Sequence, residues 1–275
     1  MGKPFISSHA FVPVELLRGP RAYEAHKELL TVRPKTYMDA KVVEIPCYND
    51  TVDGYLGLPI EWALHPNRYG NLEFEDRTSV GTKQIGHTKD IDFNHENAPE
   101  GQGEFVEKII SVLNNNYRCF AVAETACGKT VVALAVAAHY NLRTLIVCDQ
   151  TNLITQFHKE ALLHLGLPKS KVAIVKEKGG FNMHAPLCIG SIKSLVSCNY
   201  PKQFFDSFGT IIFDECQSTT SAVTYSRIFN KIRPTYCLGL TASETRPDGA
   251  DKVFKLHLGH KRAQLEGKPM PCTVY

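Results

Sequence analysis

The chain has 275 residues, 43% of them hydrophobic and 21% charged, with a formal net charge of +3. That much apolar material can core one large or two modest domains, which excludes a disordered or fibrous chain. So even a charge balance also excludes a polycationic nucleic-acid binder, so any phosphate contact has to come from local side chains and backbone amides. The nine cysteines form no Cys-x-x-Cys pair, and several, such as Cys119 and Cys148, lie in apolar runs. They read as buried thiols in a reducing compartment, not as a disulfide framework or a zinc module. No apolar leader opens the chain and no run approaches the ~18 apolar residues of a membrane span. The expectation is a cytoplasmic protein, or one in the nucleic-acid compartment of a host cell if viral, neither secreted nor membrane-bound.

The first 97 residues read as a small β-rich unit and linker. VVEIPC at 42–47 and TVDGYLGLP at 51–59 flank the turn Tyr48-Asn49-Asp50. Trp62, Tyr48, Tyr55 and Tyr69 are either core aromatics or surfaces on which bases stack. The stretch 81–100 turns polar and reads as a linker or surface excursion; its His87, Asp90, Asp92, His95 and Glu96 lack a recognised metal spacing. From residue 98 the pattern becomes regular. Phe105, Ile109, Val112 and Leu113 share one helical face. The spacing then predicts a strand at 119–122, a helix over 130–140 and a strand at 144–148. A helix around 153–165 and strands at 172–175 and 187–190 follow, then a short helix from Ser191. A strand at 210–213, a helix around 222–232 and a strand at 236–241 close the series. This alternation argues an α/β fold, a parallel sheet covered by helices on both faces. Ligands of such sheets bind beyond the carboxyl ends of the strands.

Three motifs sit at those ends. The first is Ala123-Glu124-Thr125-Ala126-Cys127-Gly128-Lys129-Thr130, between a strand and a helix. There loop amides can hold a triphosphate, with Lys129 on the β/γ-phosphates and Thr130 on Mg²⁺. The strict P-loop pattern has glycine at Ala123. The second is Asp214-Glu215-Cys216-Gln217, after TIIF; the first carboxylate can serve Mg²⁺ and the second can orient the attacking water. The third is Leu240-Thr241-Ala242-Ser243, with Arg246 and Asp248-Gly249 following. Taken singly they could be a helix start, an acidic turn and a cap; their order and placement agree only as a set.

As a set they resemble motifs I, II and III of the DExH-type helicases of superfamily 2, over about residues 98–275. GLTASETRPDG is similar to the GLTATPxRxDG of the repair and recombination branch, including phage and viral members, and TLIVCDQTNLITQF is similar to motif Ia. The resemblance implies a RecA-like P-loop domain at 98–275, preceded by an accessory domain at 1–97, and an ATP-dependent DNA helicase or translocase using ATP and Mg²⁺. It implies Thr125, Ala126, Cys127, Gly128, Lys129, Thr130 and Asp214 around the nucleotide, with Gln102 reading adenine. Glu215, Asp214 and Lys129 take the catalytic roles. Gln217, Thr241 and Ser243 couple hydrolysis to strand binding. Gln150, Thr151, Asn152, Ser191 and Arg246 contact single-stranded or branched DNA. Departures are Glu-Thr-Ala at 124–126 for the common Pro-Thr-Gly, and Cys216 and Gln217 for the commoner Ala or Ser and His or Asp. Motifs IV to VI of a second RecA-like domain are absent from the sequence, so a fragment is expected to hydrolyse ATP weakly. Alternatives are a nucleic-acid-binding module with a regulatory nucleotide site, an RNA helicase and a restriction-enzyme motor subunit. The accessory domain is expected either to select forked or branched DNA or only to pack against the motor.

Overall fold

The computed structural model describes residues 2–17, 21–35, 43–81, 84–93, 99–125, 127–176, 180–216 and 222–266. The N-terminal part contains β1 (Phe5–Ile6), β2 (Ala10–Pro13), α1 (Ala22–Leu29), β3 (Thr31–Val32), β4 (Ile45–Pro46), β5 (Tyr55–Leu58), α2 (Ile60–Ala63) and β6 (Glu75–Asp76). Strands run in the order β5-β2-β1-β6, with β3 and β4 as a separate antiparallel pair. The two runs flanking Tyr48-Asn49-Asp50 therefore join different sheets. Leu56 and Leu58 alternate onto the face that also buries Ala10 and Val12, which draws β5 to β2. The turn itself is held by Asn49, whose Oδ1 accepts from the amide of Thr51 at 3.0 Å.

Trp62 and Tyr69 are buried in this small core. Trp62 lies edge-on to His26 at 5.6 Å and under the Arg68 guanidinium at 3.9 Å. Of the two readings of these aromatics, packing is the one the structure assigns to Trp62 and Tyr69; Tyr48 and Tyr55 are half-buried.

The larger part follows as α3 (Gln102–Asn116), β7 (Arg118–Ala123), α4 (Lys129–Tyr140), β8 (Thr144–Cys148), α5 (Thr151–His164), β9 (Val172–Ile174) and β10 (Leu187–Ser191). Then come α6 (Ile192–Ser197), α7 (Lys202–Phe205), β11 (Thr210–Phe213), α8 (Ala222–Phe229), β12 (Tyr236–Thr241), α9 (Asp251–Leu258) and β13 (Lys261–Leu265). The seven strands order as β13-β7-β12-β11-β8-β10-β9, every neighbouring pair parallel. Strand periodicity sorts the core into two layers. Cys119, Ala121 and Ala123 of β7 face α3, α4 and α5, while Phe120 and Val122 face α6 to α9. This is the RecA-like α/β architecture, with a small mixed-sheet unit beside it. All carboxyl strand ends lie on one edge, which collects the three motifs.

Two features tie the N-terminal residues to the large sheet. Val32, Ile45 and Cys47 share a core with Ala222 of α8 and Ala250 and Val253 at α9, and the Ser226 hydroxyl donates to the Pro46 carbonyl. Residues 84–93 of the polar stretch are packed on the large α/β unit rather than forming a free linker. Ile85 is fully buried against the α3–α5 layer. The amide of Gly86 donates to Asn141 Oδ1 at 3.0 Å and Lys171 Nζ donates to the Gly86 carbonyl at 3.1 Å. Ile85, with the half-buried Ile91 and Phe93 packed on the same layer, is spaced among polar residues too irregularly to read as a helix or strand.

The eight described cysteines are free thiols, and no helix of the described residues is long and apolar enough to cross a membrane. Among the described residues no group of three or more His, Cys, Asp or Glu is placed to hold a metal. His87 pairs with Asp90 at 3.6 Å and is charged there only when protonated. Ala126, Gln217, His95 and Glu96 lie outside the described residues.

Candidate nucleotide site and strand-facing edge

β7 ends at Ala123 and the chain loops to Gly128, which takes a left-handed conformation (φ 69°) and caps α4. Only glycine adopts this backbone without strain. A methyl group at 128 would also collide with the Gln102 side-chain nitrogen. Gln102 is 3% exposed, and its Nε2 donates to the Cys127 carbonyl at 2.9 Å and the Gly128 carbonyl at 3.3 Å. The structure thus places Gln102 under the loop as a brace. Its amide nitrogen is engaged with these two backbone carbonyls. Cys127 is buried in the core, and Glu124 and Thr125 are exposed.

Lys129 opens α4. Its Nζ donates to the Ala123 carbonyl at 3.2 Å and pairs with Glu215 Oε1 at 2.7 Å. The first two motifs therefore meet through one ion pair, 12% exposed on the lysine side. Thr130 begins the same turn, and its hydroxyl lies 3.5 Å from Gln156 Nε2 of α5.

Asp214 and Glu215 follow β11. The Asp214 amide donates to the Val147 carbonyl of β8 at 2.9 Å, which extends the ladder and sinks the carboxyl to 3% exposure. Burial, reinforced by the neighbouring Glu215 charge and opposed by Lys129, pushes the Asp214 carboxyl up to about 7. A carboxyl so placed is short of positive charge, which a divalent cation supplies. Glu215 sits at φ 49°, a conformation that costs a non-glycine residue about 1–2 kcal/mol. The cost aims its side chain: Oε1 meets Lys129, and Oε2 accepts from the Ala242 amide at 3.4 Å. The Cys216 amide donates to the Leu240 carbonyl at 3.0 Å. Motif II thus spans the gap between motifs I and III. The loop, the lysine, the hydroxyl of Thr130 and the buried carboxyl form a donor and acceptor set that fits a magnesium-bound nucleoside triphosphate.

At β12, Thr241 is buried and its Oγ1 accepts from the Ser243 amide at 3.3 Å. The Ser243 hydroxyl donates to the Thr245 carbonyl at 2.9 Å. These two residues shape the turn, and the group that touches Glu215 is the Ala242 backbone amide, which sequence reasoning missed. A backbone N–H leaves no signature in residue identity. Gln150, Thr151 and Asn152 are exposed after β8, with Gln150 at the N-terminal cap position of α5. Ser191 ends β10 and caps α6, its Oγ accepting from the Ser194 amide at 3.1 Å. Arg246 lies on the loop between β12 and α9. Its guanidinium donates to both Asp248 oxygens, at 3.0 and 2.9 Å, and its side chain is 15% exposed. The pair braces the turn before α9.

Comparison with known proteins agrees with this geometry. The family model described as "Type III restriction enzyme, res subunit" matches residues 96–246. The chain is 32% identical over 168 residues to "Putative ATP-dependent RNA helicase L396" of Acanthamoeba polyphaga mimivirus, covering 61% of this chain and 32% of that protein. It is also 32% identical over 179 residues to "Putative ATP-dependent RNA helicase QP509L" of African swine fever virus, covering 63% of this chain and 34% of that protein. The match thus spans about a third of the length of these relatives. Among solved structures, the UvsW helicase from bacteriophage T4 superposes with a TM-score of 0.59 at 16% identity, over 90% of this chain and 94% of that one; that likeness concerns the fold. The chain therefore belongs to the family described as the res subunit of Type III restriction enzymes, and is of superfamily 2 helicase type.

Proposed function

We propose that this chain is the ATP-binding and hydrolysing portion of a helicase or translocase that works on DNA. The observation that carries it is the 2.7 Å pair between Lys129 and Glu215, which joins a glycine-capped loop to the half-buried carboxylate that follows β11. In this reading the arriving triphosphate takes Lys129 from Glu215. The freed Glu215 carboxylate orients a water in line with the γ-phosphorus and accepts its proton as the bond to the leaving ADP oxygen breaks. Thr130 and Asp214 would hold a magnesium ion, which would supply charge neutralisation for the triphosphate. The Glu215–Ala242 contact connects that carboxylate to motif III, and Thr241, Ser243 and Gln217 belong to the same coupling. The exposed Gln150, Thr151 and Asn152, with the half-buried Ser191, hold strand phosphates without reading sequence. Arginines of a second RecA-like domain complete the site; without them hydrolysis is slower by about 10³–10⁵.

Calorimetry with ATP and Mg²⁺ tests the site: Lys129→Ala is expected to weaken binding at least tenfold, and unchanged affinity overturns the assignment. The repair-branch similarity of the 239–249 segment favours DNA. An RNA substrate is the second reading, favoured by the printed names of the mimivirus and swine fever virus relatives. ATPase stimulation of the full-length protein by matched DNA and RNA strands separates the two. Stimulation by neither leaves a regulatory nucleotide site.

A further inference from the structure

α6 and α8 both leave the carboxyl edge of the sheet and run back along the same face. Between them lies an open groove with cations at Lys193, Arg227 and Lys231, neutral donors at Ser197, Thr224 and Asn230, and no carboxylate in its lining. Lys193 and Arg227 are exposed, and neither enters an ion pair among the described residues. Lys231 is fixed in place, its Nζ donating to the Leu195 carbonyl at 3.2 Å and also to that of Val196 at 2.6 Å. Unpaired like charges side by side repel one another, so a chain with a net charge of only +3 gains nothing in stability from collecting them here. An anion in the groove removes that repulsion.

The groove has a direction. Its upper end, at Lys193, is two residues beyond Ser191 on the strand-facing edge. Its lower end, at Asn230, meets the N-terminal unit: Asn49 Nδ2 donates to Asn230 Oδ1 at 3.2 Å. That bond spends the Asn230 oxygen and turns its amide donors away from Asn49. A row of donors several residues long suits a repeating anion, the phosphate backbone of a nucleic acid.

We propose that the α6–α8 groove holds the backbone of a second arm of the nucleic acid, leading from the strand-facing edge to the N-terminal unit, so that the chain engages a fork with two separate phosphate tracks. This rests on the strand-binding reading above. It relocates structure selection from the aromatics of the N-terminal unit, two of which are buried, to a basic channel beside it.

The test uses the full chain with bound ATP analogue and Mg²⁺, and reads fluorescence anisotropy on forked and unbranched oligonucleotides of DNA and of RNA across a salt series. Lys193→Ala with Arg227→Ala is expected to weaken fork binding at least tenfold. The log K against log salt slope should fall by about 2, since each lost phosphate contact removes about 0.9. Affinity for the unbranched strand should stay within about twofold. The control Lys108→Ala with Lys159→Ala removes the same charge from exposed positions on the opposite layer and should leave fork binding at the wild-type value. All four exchanges are at exposed side chains, so melting curves should match. Fork affinity unchanged in the groove variant, or lost equally with strand affinity, overturns the groove. A wild-type chain that binds ATP analogue but no nucleic acid overturns the strand-binding reading itself, and the groove with it. Recovery of a DNA fork but not an RNA fork by the wild type identifies the arm as DNA.

Discussion

Two side chains carry most of what the site can do, and each makes a prediction. Glu215 is the one described non-glycine residue at the motif junctions whose backbone is left-handed; such strain persists where a side chain has to be aimed. Glu215→Gln keeps shape and the Ala242 contact while losing the charge that meets Lys129. ATP affinity should be retained or rise, and single-turnover hydrolysis should drop by about 10² or more, the range for losing a positioned base. Wild-type turnover in that variant would move the role to another residue. Gln102 separates two expectations. As the brace seen here, its removal leaves the Cys127 carbonyl without its donor, a loss of about 1–3 kcal/mol, and weakens ATP and GTP binding by similar factors. As an adenine reader its removal would weaken ATP alone. Competition binding of the two nucleotides to Gln102→Ala decides.

At the scale of elements, the site is a consequence of strand ends. β11 and β12 finish just before Glu215 and Ala242, and β7 finishes at Ala123, whose carbonyl accepts from Lys129, because parallel pairing sets Phe213 opposite Gly239 and Thr241 opposite Val122. The loop after β7 can then reach the turn after β11 without a long insertion. The helices that hold these ends from below depend in turn on the polar excursion. Ile85 is fully buried and is the deepest apolar contact of that segment on the α3–α5 layer, with Ile91 and Phe93 packed beside it. Ile85→Ala should lower the stability of the whole α/β unit by about 2–5 kcal/mol, read as a shifted urea midpoint with unchanged slope. A variant that melts like the wild type would mean the segment lies loose on the motor.

For the molecule as a whole, the N-terminal unit and the motor share buried surface, so deleting residues 1–95 would strip Ile85, Val32 and Ile45 from cores they help fill. Point substitutions are the cleaner probe. The shared surface also makes folding sensitive to acid. His9 and His257 meet edge-on at 5.3 Å, with His257 stacked on Phe229 and the Arg118 charge nearby. Burial holds His9 down to about 3 and, aided by His9 and Arg118, holds His257 well below its ordinary value. In the unfolded chain each titrates near ~6.5. Between that value and the folded one the unfolded state binds the extra proton, so stability is intact above about pH 6.5 and is lost as pH falls. The limiting slope is about 1.4 kcal/mol per pH unit for each histidine. Urea midpoints measured between about pH 7.5 and pH 5 should fall accordingly, and His9→Leu should flatten the fall. A pH-independent midpoint in the wild type would show both rings solvated.

Sequence alone determined the parallel α/β architecture, because strands such as Thr144–Cys148 and Thr210–Phe213 are buried on both faces and so read as unbroken apolar runs, and the resemblance of its motifs implied the RecA-like form. It also marked the loops proposed to carry chemistry, since glycine, lysine and paired carboxylates at strand ends are matters of residue type and spacing. The tertiary structure decided what depends on non-local approach. It turned Gln102 under the phosphate loop, gave Arg246 to Asp248, buried Trp62, and brought the Ala242 amide to Glu215. It also set Lys193 and Arg227, separated by 34 residues of sequence, along one groove. None of these has a local pattern, because each is a contact between elements whose mutual distance is set by sheet order and packing.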